Sequence, residues 1–252
     1  MSNPGAYGEA FADVYDHWYQ DVTDAEATAR FVAQRCPSRL VVEVGVGTGR
    51  LAATLLDQGL TVIGVDASTS MLARCQARGF GPRLHLVLAD MAAMPIADSD
   101  HTGGGASVGA VLIAFNTLFN LPSESGQRAV FQQAAHMLDA GGALITETLD
   151  ADTLDRQAGM SVGVRNRDDE ALTVVATEVD PEAQTIVGRH VAISNTGIDI
   201  RPWTLRWSTV DQLDDYADAA GLVLTERYPD WTGRPTSSSS GVHISVYQRA
   251  RK

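Results

Sequence analysis

Positive charge is what this chain has least of. Nineteen Lys and Arg stand against 31 Asp and Glu, a formal net charge of -12 over 252 residues, and no basic run occurs before Arg249, Arg251 and Lys252. A phosphate backbone would be repelled, so nucleic acid is not an expected partner. Long apolar runs are missing too. Nothing approaches the ~18 residues of a membrane span, and Met1 to Tyr7 offers neither a basic nor an apolar opening stretch. The expected setting is the cytoplasm, with no membrane partner. Cysteine is limited to Cys36 and Cys75, on separate predicted helices without CxxC spacing, which argues against a disulfide framework or a zinc site. The six histidines, His17, His85, His101, His136, His190 and His243, show no HxxxH or HxxE spacing, so no metal is expected. Each reads singly as a surface or core residue. His190 and His243 fit that reading least well.

What is present is an ordinary globular composition, 44% hydrophobic and 20% charged, at a length that suits one α/β domain with an insertion. Between Gly8 and Cys36 apolar residues recur at helical spacing, which predicts two helices before the first strand. Strands are then expected at Leu40 to Val44, Leu60 to Val65, Leu84 to Leu88, Val108 to Phe115 and Ala143 to Thr148. Helices fall between them: Gly49 to Asp57, a Ser68-capped helix to about Ala77, and Ser123 to Leu138. Such alternation implies a parallel sheet. Ser99 to Gly105 reads as a surface loop. Three β-rich runs follow, Leu172 to Val179, Thr185 to Ser194 and Ile198 to Trp207, and read as an antiparallel insertion. A capping box at Thr209 and Gln212 starts the last helix, and Leu222 to Tyr228 with Val242 to Gln248 form a hairpin. The single domain 1–252 thus divides into a helical cap (1–36), a core (37–150), an antiparallel insertion (160–208) that could be a lid or a dimer contact, and a final helix with hairpin (209–252).

Chemistry concentrates in Glu43-Val44-Gly45-Val46-Gly47-Thr48-Gly49, where a strand hands over to a helix. Glycines there let backbone approach a ligand, and the helix start offers free N–H groups. Counted from Gly45, a dinucleotide fingerprint would need glycine where Arg50 stands, which disfavours a nicotinamide-dependent oxidoreductase. Asp66 ends the second strand, where a carboxylate can accept from both hydroxyls of an unmodified ribose. Asp90-Met91 ends the third, beside the place an adenine would take.

This ordered set, ExGxGxG and then an acid after each of the next two strands, resembles the signature of class I S-adenosylmethionine-dependent methyltransferases. The resemblance covers residues 7 to 150 closely. Within that superfamily, Phe11 to Tyr19 is similar to the opening of bacterial sugar N,N-dimethyltransferases and related small-molecule enzymes. It implies an α/β, Rossmann-like, doubly wound seven-stranded sheet of order 3-2-1-4-5-7-6, last strand antiparallel. The implied cofactor is S-adenosylmethionine. Gly45 and Gly47, with Val46 and Gly49, would lie under its methionine part, and Glu43 and the Ala114 carbonyl would meet its amino group. Asp66, beside Ala67, would hold the ribose; Met71, Asp90 and Met91 would take the adenine; Tyr15 and Tyr19 would close the site.

In an open parallel sheet, ligands bind beyond the carboxyl ends of the strands. That places Tyr19, Asn116 and Glu147 as candidate catalytic residues and Asn120, Trp231 and Arg234 as candidate substrate contacts. Trp203 and Trp207 are further candidates for a substrate wall. The expected reaction is methyl transfer to a small molecule on nitrogen or oxygen, a specialised metabolite or an amino sugar, by in-line displacement that relies on positioning. An alternative stays open: a protein that uses the cofactor for other chemistry, or binds it without catalysis. A nucleic-acid methyltransferase would usually show a DPPY-like segment where Asn116-Thr117-Leu118-Phe119 stands.

Overall fold

The computed structural model describes residues 3–19, 24–95, 108–167, 171–234 and 241–249. The expected loop at Ser99 to Gly105 lies outside them. Three short helices, α1 (Ala6–Phe11), α2 (Tyr15–Trp18) and α3 (Ala25–Ala33), precede the first strand. The two-helix expectation is corrected because a turn at residues 12–14 interrupts the amphipathic run. The core then alternates through β1 (Leu40–Val44), α4 (Arg50–Asp57), β2 (Thr61–Asp66), α5 (Thr69–Ala77), β3 (Leu84–Leu88), β4 (Val108–Ile113), α6 (Glu124–Met137) and β5 (Leu138–Leu149). Ser68 and Ser123 cap α5 and α6 by accepting from the N–H of Met71 and Gly126. Strand β5 begins five residues before the expected start. Gly141 and Gly142 therefore lie inside it, at a register irregularity against β4.

A short helix α7 (Ala151–Asp155) leads to a separate four-stranded antiparallel sheet, β6 (Gly159–Arg167), β7 (Ala171–Asp180), β8 (Thr185–Ser194) and β9 (Gly197–Arg206). Strand β6 was not among the three expected runs; Gly159 and Gly163 dilute its pattern and it lies at the sheet edge. Helix α8 (Val210–Ala219), whose capping box at Thr209 and Gln212 is formed, and the hairpin β10 (Leu222–Tyr228) and β11 (Val242–Arg249) finish the chain. The seven-stranded sheet has the order β3-β2-β1-β4-β5-β11-β10, with β11 antiparallel to its neighbours. This is the implied Rossmann-like topology.

Burial follows the alternation of the strands. Val42 and Val44 face a core shared with Phe131 of α6 and Tyr216 of α8, while Val41 and Val62 face Phe31 of α3 and Leu55 of α4. With both faces covered, β1 and β4 are buried throughout. Among the described residues, a large cavity opens at the carboxyl ends of the strands.

The cap closes over that edge, and specific residues hold it there. Glu9 accepts from the Ser68 and Ser70 hydroxyls at the start of α5. Arg201 of β9 pairs with Asp13 and donates to the Ala10 carbonyl at 2.5 Å, and Arg165 of β6 donates to the Trp18 carbonyl at 2.8 Å. A Cβ on Gly5 would overlap the Ala67 carbonyl, so the cap can sit this close to the β2 turn only with glycine there. Among the described residues no helix is long and apolar enough to cross a membrane.

Candidate active site

Between the strand ends, the cap and the inner face of the four-stranded sheet lies a cavity of about 670 Å³. A recess of about 30 Å³, lined by Glu43, Gly47, Ala114 and Phe115 among others, lies at the end of β1.

The glycine loop is built for close approach. Gly45, Gly47 and Gly49 have φ of 76°, 56° and 84°, a region that side chains disfavour. A Cβ on Gly45 would strike Thr117 of the loop after β4. One on Gly49 would lie 2.6 Å from the Cys75 sulfur, so Gly49 serves the contact between α4 and α5 rather than lining the cavity. Val46 lines the recess.

The acids have distinct states. Asp66 accepts from the Gly47 N–H at 2.9 Å through one oxygen and from the Ser68 N–H at 2.8 Å through the other. Each carboxylate oxygen has a second acceptor site, and the group borders the cavity. Burial raises its pKa, opposed by those backbone donors. Asp90 caps the short turn at Met91–Ala93 by accepting from the Ala92 N–H at 2.9 Å. Glu43 is wholly buried, and its Oε2 has no partner. Burial pushes its pKa up to about 8, with Arg50 acting in the other direction. A buried carboxylate oxygen without a donor is a place prepared for one. Ala67, Met71, Asp90 and Met91 line the cavity beyond Asp66.

This set of acceptors, an unmet carboxylate oxygen at β1, a carboxylate bordering the cavity at β2 and an acid with an apolar side chain at β3, can be set beside known proteins. The profile of the family described as Methyltransferase domain matches residues 41–142. The CcbJ methyltransferase of Streptomyces caelestis is 33% identical and superposes with a TM-score of 0.90, covering 99% of this chain and 100% of that one. The chain belongs to the S-adenosylmethionine-dependent methyltransferases. Cypemycin N-terminal methyltransferase from a Streptomyces species is 24% identical, over 99% of this chain and 100% of that one. CalS10 of Micromonospora echinaspora, an amino pentose methyltransferase solved with S-adenosylmethionine bound, shares the fold at a TM-score of 0.66 and 21% identity, covering 92% and 96% of the two chains.

S-adenosylmethionine is the methyl donor of this methyltransferase, and the residues present fit it. Its ammonium would meet an acceptor in the unmet Glu43 oxygen, and its ribose hydroxyls would meet the open acceptor sites of Asp66. Its adenine would suit the Met71, Asp90 and Met91 end of the cavity. Tyr15 borders both cavity and recess, its ring tilted against Tyr19 at 4.8 Å.

The six residues expected to face the acceptor separate. Tyr19, Asn116 and Asn120 line the cavity. Glu147 is buried behind it, accepting from the Phe115 N–H at 2.6 Å, while its carbonyl accepts from the Asn116 N–H. Asn116 in turn accepts from the Leu149 N–H at 2.6 Å. Together they hold Phe115 and Asn116 at φ of 50° and 60°, two successive side-chain residues in left-handed conformation. Trp231 is not brought to the cavity: it is buried against Phe31 at 5.5 Å. Arg234 is exposed and does not line the cavity either. Trp207 is fully buried in the core, whereas Trp203 does border the cavity.

Tyr7, Phe115, His190, Thr204 and Arg206 also line this space and were not expected there. A signal existed for some of them. The Asn195-Thr196 turn sets Gly188 opposite Trp203 and His190 opposite Arg201. Which face of that hairpin turns inward was not legible. Among the described residues, no three His, Cys, Asp or Glu side chains come together as a metal site.

Proposed function

We propose that this methyltransferase N-methylates a small-molecule amine of specialised metabolism. One observation carries the reading: among the described residues, the acceptor half of the cavity, lined by Tyr7, Tyr19, Asn120, His190, Trp203 and Arg206, presents no carboxylate. Asp66 and Asp90 lie at the other end. A hydroxyl nucleophile would need a base, whereas a neutral amine attacks with its own lone pair. Two relatives whose names specify an N-terminal and an amino pentose methyltransferase support the choice.

S-adenosylmethionine, when bound, supplies a methyl group on a sulfonium that needs no further activation. The chain's own task is to hold the amine in line and keep water out. Phe115, fixed by Glu147, and Tyr15 and Tyr19 from the cap wall the space where the two would meet. Asn116, Tyr19 and Asn120 orient the acceptor.

The test is methyl-labelled donor offered with matched amines and alcohols. Label should enter the amines. The acid limb of kcat/KM should track each amine's own pKa across a series; label in alcohols alone, or a limb that stays fixed, overturns the reading.

The acidic balance supports a setting free of nucleic acid, and we propose that this setting is the cytoplasm. We also propose a homodimer. The outward face of the four-stranded sheet exposes Met160, Val162, Val164, Ile198 and Ile200 beside Glu178 and Arg189. Four strands of about ten residues offer roughly 600 Å² per copy, near the ~800 Å² per partner of stable complexes. The opposite charges make the face complementary to itself. Sedimentation should give a dimer that Val162→Glu dissociates; a monomeric parent protein overturns this.

A further inference from the structure

Among the described residues, His190 is a buried group that the methyl transfer outlined above leaves without a task. It projects from the inner face of β8 into an aromatic box, stacked on Trp18 at 5.3 Å and edge-on to Phe11 at 5.2 Å. Its Nδ1 lies 2.9 Å from the indole nitrogen of Trp203, and its Nε2 lies 3.4 Å from the Tyr19 hydroxyl.

An indole N–H can only donate. Nδ1 must therefore accept, and the proton of the neutral ring sits on Nε2, aimed at Tyr19. An imidazolium would set one N–H against another. The seat of the indole is itself built: Gly188 is the register partner of Trp203, and a Cβ there would overlap the six-membered ring. Only glycine lets the indole lie across β8 with its N–H at His190.

Tyr19 receives a second donor, the Tyr7 hydroxyl, at 3.4 Å. With donors from Tyr7 and His190 on its oxygen, the phenolic proton of Tyr19 is left to point elsewhere, and Tyr19 borders the cavity. That proton cannot usefully go to the reacting nitrogen, whose lone pair must stay free.

We propose that His190, locked by Trp203 as the neutral Nε2–H tautomer, is a positioning residue that directs the Tyr19 hydroxyl onto an oxygen of the acceptor near its nucleophilic nitrogen. The acceptor class is then an amine bearing a hydroxyl, ether or carbonyl oxygen a few bonds away. This rests on the amine reading above. It also excludes His190 as the base.

The groups facing the ring agree. Tyr7 and Tyr19 face it from the cap, Arg165 from β6, and Arg201 from β9, the last paired with Asp13. Burial first, and then the two guanidinium groups, press the imidazole down to about 4.

Long-range proton–nitrogen NMR of the full-length protein labelled on histidine reads the tautomer without any acceptor. The resonance that disappears in His190→Gln should show Nδ1 bare and Nε2 protonated from pH 8 to pH 5.5. In Trp203→Phe and Gly188→Ala the ring should take its second proton at least about one unit higher, and turnover should gain a matching acid limb. His190→Gln can accept from Trp203 and donate to Tyr19, so it should keep kcat/KM within about threefold, with His190→Phe at least about tenfold lower and cofactor affinity unchanged in both. An Nδ1–H or doubly protonated ring in the parent protein overturns the proposal, as does full activity in a folded His190→Phe. Failure of every amine to take up label would instead overturn the amine reading and leave the tautomer result standing.

Discussion

The two halves of the cavity are made differently. The donor half draws on Glu43, the glycine loop, Asp66 and Asp90, all at consecutive strand ends within one stretch of chain, and Gly45, Gly47 and Ala67 in its lining carry little or no side chain. The acceptor half collects aromatic and polar side chains from the cap, the loop after β4 and the inner face of β8 and β9. The first must fit one ligand and uses groups whose positions the sheet fixes. In the second, side chains rest on other side chains, as Tyr19 does on His190 and Trp203, so its shape can change without disturbing the sheet.

The division is broken most severely if a residue assigned to neither half proves to be functional. Trp231 is the case to test. Its indole is buried against Phe31 in the core beside α3 and α4. Trp231→Ala should cost about 3–5 kcal/mol of stability, the usual loss for a large aromatic in a core. Urea unfolding measures it. Intact stability with a raised KM for the acceptor would extend the acceptor half to the loop after β10.

Within the donor half the corresponding substitution is Asp66→Ala. It should weaken S-adenosylmethionine by about 1–3 kcal/mol, the scale of lost hydrogen bonds to a charged group, while KM for the acceptor stays put. Asp66→Asn should lose less. Calorimetry with S-adenosylhomocysteine separates the two variants. An unchanged dissociation constant would mean that the ribose is held elsewhere.

The same contrast explains what could be read in advance. Strand–loop–helix order and the positions of Glu43, Gly45, Asp66 and Asp90 follow from local pattern, because each acts where its own strand ends. Glu147 was legible as a strand-end acid, but its place was not. It points back to the Phe115 N–H and supports a strained turn instead of facing the cavity. His190 stood out with His243 as the histidines that fit a surface or core reading least well, but its task was not legible, because its partners Trp203 and Tyr19 are 13 and 171 residues away. The β6 strand escaped because glycines dilute its alternation. Pattern reports what a residue does beside its neighbours in sequence; a site assembled across a fold is invisible to it.

Glu43 sharpens the comparison through pH. Its carboxyl is neutral in the folded protein up to about 8, held there mainly by burial. In the unfolded chain it ionises near the ordinary value of about 4.3. Between those two values the folded state binds the extra proton, so stability falls as pH rises, by at most about 1.4 kcal/mol per unit from this group. The cofactor's ammonium suits the ionised form. Thermal stabilisation by S-adenosylmethionine should therefore grow from pH 5.5 to pH 8, and Glu43→Gln should remove most of that growth. A stabilisation that does not change with pH would mean that the ammonium lies elsewhere.

The smallest effect belongs to Arg234. A cation on a loop leaving a strand's carboxyl end could bind an anionic group on the acceptor, and position alone makes that attractive. The structure sets the residue on the surface, outside the cavity lining, whereas Arg206 borders the acceptor half with most of its side chain buried. Surface substitutions away from a packed contact stay within about 0.5 kcal/mol, so Arg234→Ala should leave stability there and KM within about twofold. Arg206→Ala is the informative partner, because its guanidinium also reaches Ser208 at 3.2 Å and Glu124 at 3.8 Å. If an acidic acceptor is used, KM should rise in Arg206→Ala and not in Arg234→Ala. The opposite order, measured on one substrate at one pH, would place the entrance on the β10 side and redraw the acceptor half around it.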